Sequence, residues 1–122
     1  MSYDVSFNEF FRKKTKDFAI SIIQYLSKLP KTDEIRVVKN QLLRSATSIA
    51  ANFRAACRAR SEAEYYAKMC IVVEEADESA FWLEILEEAQ LDNSIKLIEL
   101  KNEANHIVSI AAKTRKTLKS SK

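Results

Sequence analysis

An all-α fold, an up-down-up-down antiparallel four-helix bundle, follows from three features of the sequence. The 122 residues contain no glycine and a single proline, Pro30, whereas strands and hairpins ordinarily turn on glycine. Four segments carry apolar residues at helical spacing. Short polar stretches separate them, so consecutive helices should lie side by side. The length suits one domain spanning residues 1–122, with one core rather than two.

The first helix is expected over about 7–28. Ser6 with Glu9 three residues on reads as a capping box. Phe7, Phe11, Phe18, Ile22, Tyr25 and Leu29 form its apolar stripe, and Leu29-Pro30 stops it, because a residue before proline avoids the helical region. The second helix, about 33–58, is capped by Thr32 or Asp33 and buries Ile35, Val38, Leu42, Ile49, Phe53 and Ala56. The third, about 62–89, opens on the box Ser61-Glu62-Ala63-Glu64 and extends ~40 Å. Its apolar surface is too broad for one core: Tyr65 and Tyr66, like Phe81 and Trp82, stand ~100° apart around the axis, and Ile71, Val72 and Val73 are consecutive. Either this helix is central to the bundle or another subunit covers its second face, and the second is expected. The fourth helix, about 93–118, follows the loop Gln90-Leu91-Asp92 and carries a stripe of Ile95, Ile98, Asn105, Val108, Ala111 and Ala112. The basic residues from Lys113 to Lys122 suit the negative end of that helix and are expected to fray.

Within the second helix the stretch from Gln41 to Ser61 stands out. Ser45, Ser48 and Asn52 step by three and four, so they line one face beside the apolar stripe. Small polar groups there suggest a close, hydrogen-bonded helix contact, and Asn52→Leu should damage folding or assembly by leaving a buried partner unpaired.

Charge is segregated. Residues 62–90 hold nine acids and one base, Lys68, while the rest of the chain carries the excess of bases that makes the net charge +3. Arg54 and Arg58 share a face at the end of the second helix, with Arg60 just beyond. Arg12, Lys13 and Lys16 in the first helix, with Arg36 and Lys39, add positive charge that is expected at the opposite end of the second helix. Arginine suits phosphate, so these eight residues are candidates for contact with nucleic acid or a partner. Intersubunit salt bridges to the acidic third helix are the alternative.

Little points to catalysis. The single histidine, His106, completes one Glu103-x-x-His106, but di-iron bundles need two such motifs and two more carboxylates. A surface or rim histidine is expected, with no metal and no cofactor. Cys57 and Cys70 would sit ~6 Å and ~13 Å from a shared turn, an offset that disfavours a disulfide. They read as buried or half-buried thiols of a reducing compartment without the surroundings of an activated thiolate. No glycine loop exists to cradle phosphate, and Glu74, Glu75, Asp77 and Glu78 point in several directions, as on a solvated or salt-bridged face. No apolar run reaches the ~20 residues of a membrane span. The start, MSYDVSFNEFFRKK, lacks the basic-then-apolar pattern of a secretory signal. A cytoplasmic location away from membranes is expected.

Gln41, Leu42, Arg44, Ser45, Ser48, Ile49 and Asn52, in the order Gln-Leu-x-Arg-Ser-x-x-Ser-Ile-x-x-Asn, with Arg60-Ser61 and the acidic helix after them, resemble the four-helix bundle protein family, also called 23S ribosomal RNA intervening-sequence proteins. The resemblance covers about residues 10 to 115. It rests on polar positions that periodicity does not demand. It departs at Ala55, where relatives often carry a glutamate. The resemblance implies a left-handed bundle that assembles into a homopentamer, a tapered barrel with a central channel. It implies packing roles for Gln41, Arg44, Ser45, Ser48 and Asn52. Some members are encoded within insertions in large-subunit ribosomal RNA genes. A related branch looks like the accessory proteins of diversity-generating retroelements, which bind reverse transcriptase and nucleic acid through a basic surface.

Two functions are therefore expected in competition. One is a non-enzymatic homo-oligomer that associates with RNA, DNA or an RNA-bound protein such as a reverse transcriptase through its basic surface. The other is a protein-interaction scaffold whose charged residues serve its own assembly.

Overall fold

The computed structural model describes residues 4–120. They form four helices, α1 (Val5–Leu26), α2 (Asp33–Cys57), α3 (Glu62–Glu88) and α4 (Ile95–Ser120), with no strand among the described residues. The start of the chain and its last two residues, on which part of the secretory-signal and fraying expectations fall, lie outside the described residues. Up to Ser120 the basic tail continues α4 rather than fraying.

Each helix begins on a side chain that accepts an otherwise unpaired N–H. In α1 this is Asp4, which accepts from Phe7 N at 3.1 Å. The expected Ser6–Glu9 box does not form, because an earlier cap with a negative charge on the positive helix end takes Ser6 into the first turn. Thr32 caps α2 through Ile35 N at 3.2 Å. Ser61 caps α3 through Glu64 N at 3.0 Å, while the Glu64 carboxylate reaches back to Arg60 N at 3.0 Å, one residue beyond the usual capping-box target. Ser94 accepts from Leu97 N at 3.2 Å, which starts α4 at Ile95.

The exit from α3 shows the cost of a chain without glycine. Gln90 takes φ 59°, the left-handed region. Gln90 N donates to Glu87 O at 3.0 Å and Leu91 N to Leu86 O at 2.9 Å, the paired bonds of a Schellman ending that glycine usually serves. The next residue, Asp92, accepts from the Tyr25 hydroxyl at 2.6 Å and from the Ser94 hydroxyl at 2.7 Å, which ties the α3–α4 turn to the end of α1. Burial alone would raise the Asp92 carboxyl. The Tyr25 and Ser94 hydroxyls and the N–H groups of Asn93 and Ser94 outweigh it and hold the group below its ordinary value. Burial and the carboxylate together push the Tyr25 phenol well up.

The core is a seven-residue repeat read off burial. α3 buries Tyr65, Met69, Val72, Ala76, Ser79, Leu83 and Leu86, in alternating steps of four and three. α2 buries Ile35, Val38, Leu42, Ser45, Ile49, Phe53 and Ala56, and α1 buries Asn8, Phe11, Thr15, Phe18, Ile22 and Tyr25. That spacing keeps one seam of each helix facing its neighbours. Helices pack in a ring, α1 on α2, α2 on α3, α3 on α4 and, least extensively, α4 on α1. Across the ring, the Tyr65 hydroxyl donates to Asn8 Oδ1 at 2.8 Å, satisfying two buried polar groups on α3 and α1.

Of the stripe expected on α4, Ala111 is buried, Val108 and Ala112 are half-buried, and Ile95, Ile98 and Asn105 are exposed. Leu97, Leu100, Ala104, Ile107, Ala111, Thr114 and Leu118 face the core, whereas Ile95 is 79% and Ile98 42% exposed. Two neighbouring rows of α4 are apolar, and only the first continues the repeat of the other helices. The breadth of α3 is also partly resolved within the chain. It packs on both α2 and α4, so Tyr66, Val73, Trp82 and Ile85 sit half-buried against the core and Phe81 remains exposed.

Two stability predictions follow from these contacts. Gln90→Gly should raise stability by about 1 kcal/mol in urea unfolding, since glycine takes a positive φ without steric cost. An unchanged midpoint would mean that the turn relaxes to a different ending. Ser45→Ala should cost about 1 kcal/mol, because its Oγ lies 2.8 Å from Ser79 Oγ in the core. The Ser45→Ala/Ser79→Ala double variant should lose less than the sum of the singles, and strict additivity would show the two hydroxyls to be uncoupled.

Candidate functional site

The polar row of α2 divides between two jobs. Arg44 reaches α3, where its guanidinium donates to Glu75 at 3.2 Å and also to Glu78, and Glu78 in turn accepts from Trp82 Nε1 at 3.1 Å. Hydrogen bonding to Glu78, aided by the charges of both carboxylates against a smaller opposing effect of burial, raises the Arg44 guanidinium. Glu78 is held below the usual carboxylate range, first by Arg44 and then by Trp82, against its own partial burial. Ser45 meets Ser79 in the core, their Oγ atoms 2.8 Å apart, a hydrogen-bonded contact between α2 and α3. Asn52 differs. Its amide donates to the carbonyl and the hydroxyl of Ser48, both at 3.0 Å, so its partners lie on its own helix and not across a helix contact. Within one chain, Asn52→Leu therefore strands no partner on another helix, because the Ser48 carbonyl keeps its place in the α2 ladder. Gln41 is exposed and Ala55 half-buried.

The basic residues sort differently from the order expected. Phe7 and Phe11 pack on Phe53 with ring centroids 6.0 and 4.8 Å away. The first third of α1 therefore lies beside the last third of α2, and the lysines of α1 are at the same end as Arg54 and Arg58, not the opposite one. Position along α2 alone does not say which of its ends the start of α1 meets; the aromatic contact fixes how α1 runs against it. Arg12, Lys13 and Lys16 of α1 and Arg54 and Arg58 of α2 line one open groove of about 1000 Å³. Its remaining lining is Ala19, Ile20, Thr47, Ala50 and Ala51, with Glu9 and Asp17 on the α1 side. Lys13 is paired with Asp17 at 2.8 Å. Among the described residues, Arg12, Lys16, Arg54 and Arg58 form no ion pair.

Other candidates lie elsewhere. Arg36 pairs with Asp33 at 3.2 Å and, with Lys39, borders a smaller pocket of about 280 Å³ near Pro30 and Thr32, at the other end of α2. Arg60 is exposed beyond α2 and outside the groove lining. Lys14, in the same basic run, is drawn to Glu103 of α4 at 2.8 Å. The groove floor was missed in the sequence; the adjacent small residues Ala50 and Ala51 were the available signal that α2 presents no bulk there.

Glu103 faces Lys14, and His106 is exposed. Both cysteines are free thiols. Burial pushes the Cys57 thiol up, and the charges of Arg12 and Arg58 only partly reverse it, the opposite of an activated thiolate. Among the described residues, no helix is long and apolar enough to cross a membrane.

The Arg44–Glu78 pair yields a pH prediction. A depressed folded value means the pair's contribution is complete above the unfolded value of Glu78 and is lost as pH falls through the folded one. Because both groups are partly exposed and screened, Arg44→Ala should cost at most about 1 kcal/mol at neutral pH. The gap between variant and parent should close in acid, below the ordinary carboxylate range. A gap that persists unchanged in strong acid would assign the loss to the packing of the arginine stem instead.

Comparison with known proteins agrees with this architecture. Residues 10–113 match the family model described as 23S rRNA-intervening sequence protein. No curated protein matches the chain. Among solved structures, the chain is similar to a protein with unknown function from the S23 ribosomal protein family of Bacteroides thetaiotaomicron VPI-5482. That protein is 30% identical and superposes with a TM-score of 0.79, covering 89% of this chain and 97% of its own. A match over most of the length, joined to the four-helix core and to the polar row of α2, assigns the chain to the 23S rRNA-intervening sequence protein family.

Proposed function

We propose that this protein is a non-enzymatic, cytoplasmic homo-oligomer that associates with RNA or DNA, or with an RNA-bound protein such as a reverse transcriptase, through its basic surface. The observation that carries this reading is the groove between α1 and α2, where Arg12, Lys16, Arg54 and Arg58 converge from two helices and, among the described residues, form no ion pair. Arginines near the negative end of α2 would stand there for the helix dipole alone, but that does not account for Arg12 and Lys16 opposite them. Unpaired bases gathered in one concavity attract phosphate and release its counterions. The family's description, which names a ribosomal RNA insertion, points the same way.

The assembly belongs to the same proposal. The four helices run up-down-up-down and antiparallel in a left-handed bundle, and five copies form a ring. Support comes from the seven-residue core spacing and from apolar side chains left outside one chain, among them Phe10, Phe81, Ile95 and Ile98.

A second reading is favoured by a different observation. Glu74, Asp77 and Glu88 on α3 are exposed, beside exposed Phe81, and could meet Arg54 and Arg58 of a neighbouring copy. The protein would then be an interaction scaffold whose groove is occupied by itself.

A gel-shift series with single-stranded DNA and structured RNA, across rising salt and on material of known mass, tests the first reading. Salt-sensitive retardation of an oligomer is expected, and no shift of either probe at low salt would overturn it. Light scattering tests the second. Arg58→Glu should leave the mass unchanged if the groove is free for nucleic acid, whereas dissociation into smaller species would favour the scaffold.

A further inference from the structure

Resting on the nucleic-acid reading, we infer that the α1–α2 groove takes the sugar-phosphate backbone of a double-stranded nucleic acid, independent of sequence, rather than a single strand whose bases are read or stacked. The inference comes from what the groove contains and what it lacks. Its charge stands on two walls, Arg12 and Lys16 on α1 and Arg54 and Arg58 on α2. Between them the floor is alanine, isoleucine and threonine.

Among the described residues, no aromatic side chain lines the groove. Proteins that hold single strands add aromatic platforms, because stacking supplies much of the binding once a base is unpaired. Of the aromatics nearest in sequence, Phe11 is fully buried and packed on Phe53 in the core, and Phe10 is exposed but outside the groove lining. Besides arginine and lysine, which bind guanine edges as well as phosphate, base reading uses amide side chains on adenine and carboxylates on cytosine. The polar lining other than the bases is Thr47, Glu9 and Asp17, and Asp17 is held by Lys13. What remains is attraction to phosphate. That favours the ligand with the denser charge, and a duplex presents about one charge per 1.7 Å of axis.

The salt dependence gives the inference a magnitude. Four unpaired bases in one groove predict a slope of log affinity against log salt of about −3.6 for each groove engaged on a duplex.

The test uses the full chain and fluorescence anisotropy with three probes: a random-sequence DNA duplex, a second duplex of unrelated sequence, and the separated single strands. The two duplexes should bind equally, and each at least about tenfold more tightly than its strands at low salt. Arg54→Ala with Arg58→Ala should lower the size of the salt slope by about 2 on the duplex, while Arg36→Ala with Lys39→Ala, at the far end of α2, should leave it unchanged. Circular dichroism of each variant separates lost binding from lost fold. Tighter binding of single strands, or a clear preference between the duplexes, would overturn the inference while leaving nucleic-acid association intact. Equal loss in both double variants would remove the groove as the site. No binding of any probe by the parent would overturn the underlying reading instead.

Discussion

The close approach of α2 and α3 at Ser45 and Ser79 is the contact on which the rest of the arrangement turns. Two fully buried hydroxyls, 2.8 Å apart, satisfy each other where larger side chains would hold the helices apart. Seating Ser45 against α3 sets the rotation of α2 about its own axis. Arg44, one residue earlier, then meets Glu75 and Glu78 at the rim of the same seam. Arg54, nine residues later and so ~180° around the helix, is carried to the side away from α3. One packing decision thus separates the arginine that holds the bundle together from the arginines that line its groove.

Charge follows the same division. The acids of α3 are partly used within the chain, Glu75 and Glu78 by Arg44 and Glu87 by Lys101 of α4. Lys14 of α1 is likewise taken up by Glu103. None of these pairs draws on Arg12, Lys16, Arg54 or Arg58. The segregation seen in the sequence is therefore not cancelled by folding, since α1 and α2 pack through apolar side chains such as Phe7, Phe11 and Phe53 and not through opposite charges. A concavity with more bases than acids in its lining is the result, and its field is strongest at low ionic strength.

The turns show how a chain without glycine closes such a bundle. Capping falls to Asp4, Thr32, Ser61 and Ser94. The left-handed residue that ends α3 is Gln90, and the turn it makes is secured by the Tyr25–Asp92–Ser94 hydrogen bonds. That cluster also joins the ends of α1 and α3 to the start of α4, where the ring of helices is least extensively packed.

The sequence by itself determined that the protein is all-α with four helices, since absent glycine and apolar spacing are local properties that need no partner. It also placed Ser45, Ser48 and Asn52 in one polar row of α2, because steps of three and four put them on one face beside the apolar stripe. Tertiary structure alone decided three things. It chose Leu97 and Leu100 over Ile95 and Ile98 as the buried row of α4, because both rows are apolar and only the shared repeat of the packed core distinguishes them. It showed that Asn52 bonds within its own helix, since a side chain on the correct face still takes whichever partner is nearest. And it brought Arg12 and Lys16 beside Arg54 and Arg58, residues some forty positions apart, because the Phe7–Phe11–Phe53 contact determines which ends of α1 and α2 meet. Local pattern reports which face of a helix is apolar; only packing reports what stands across from it.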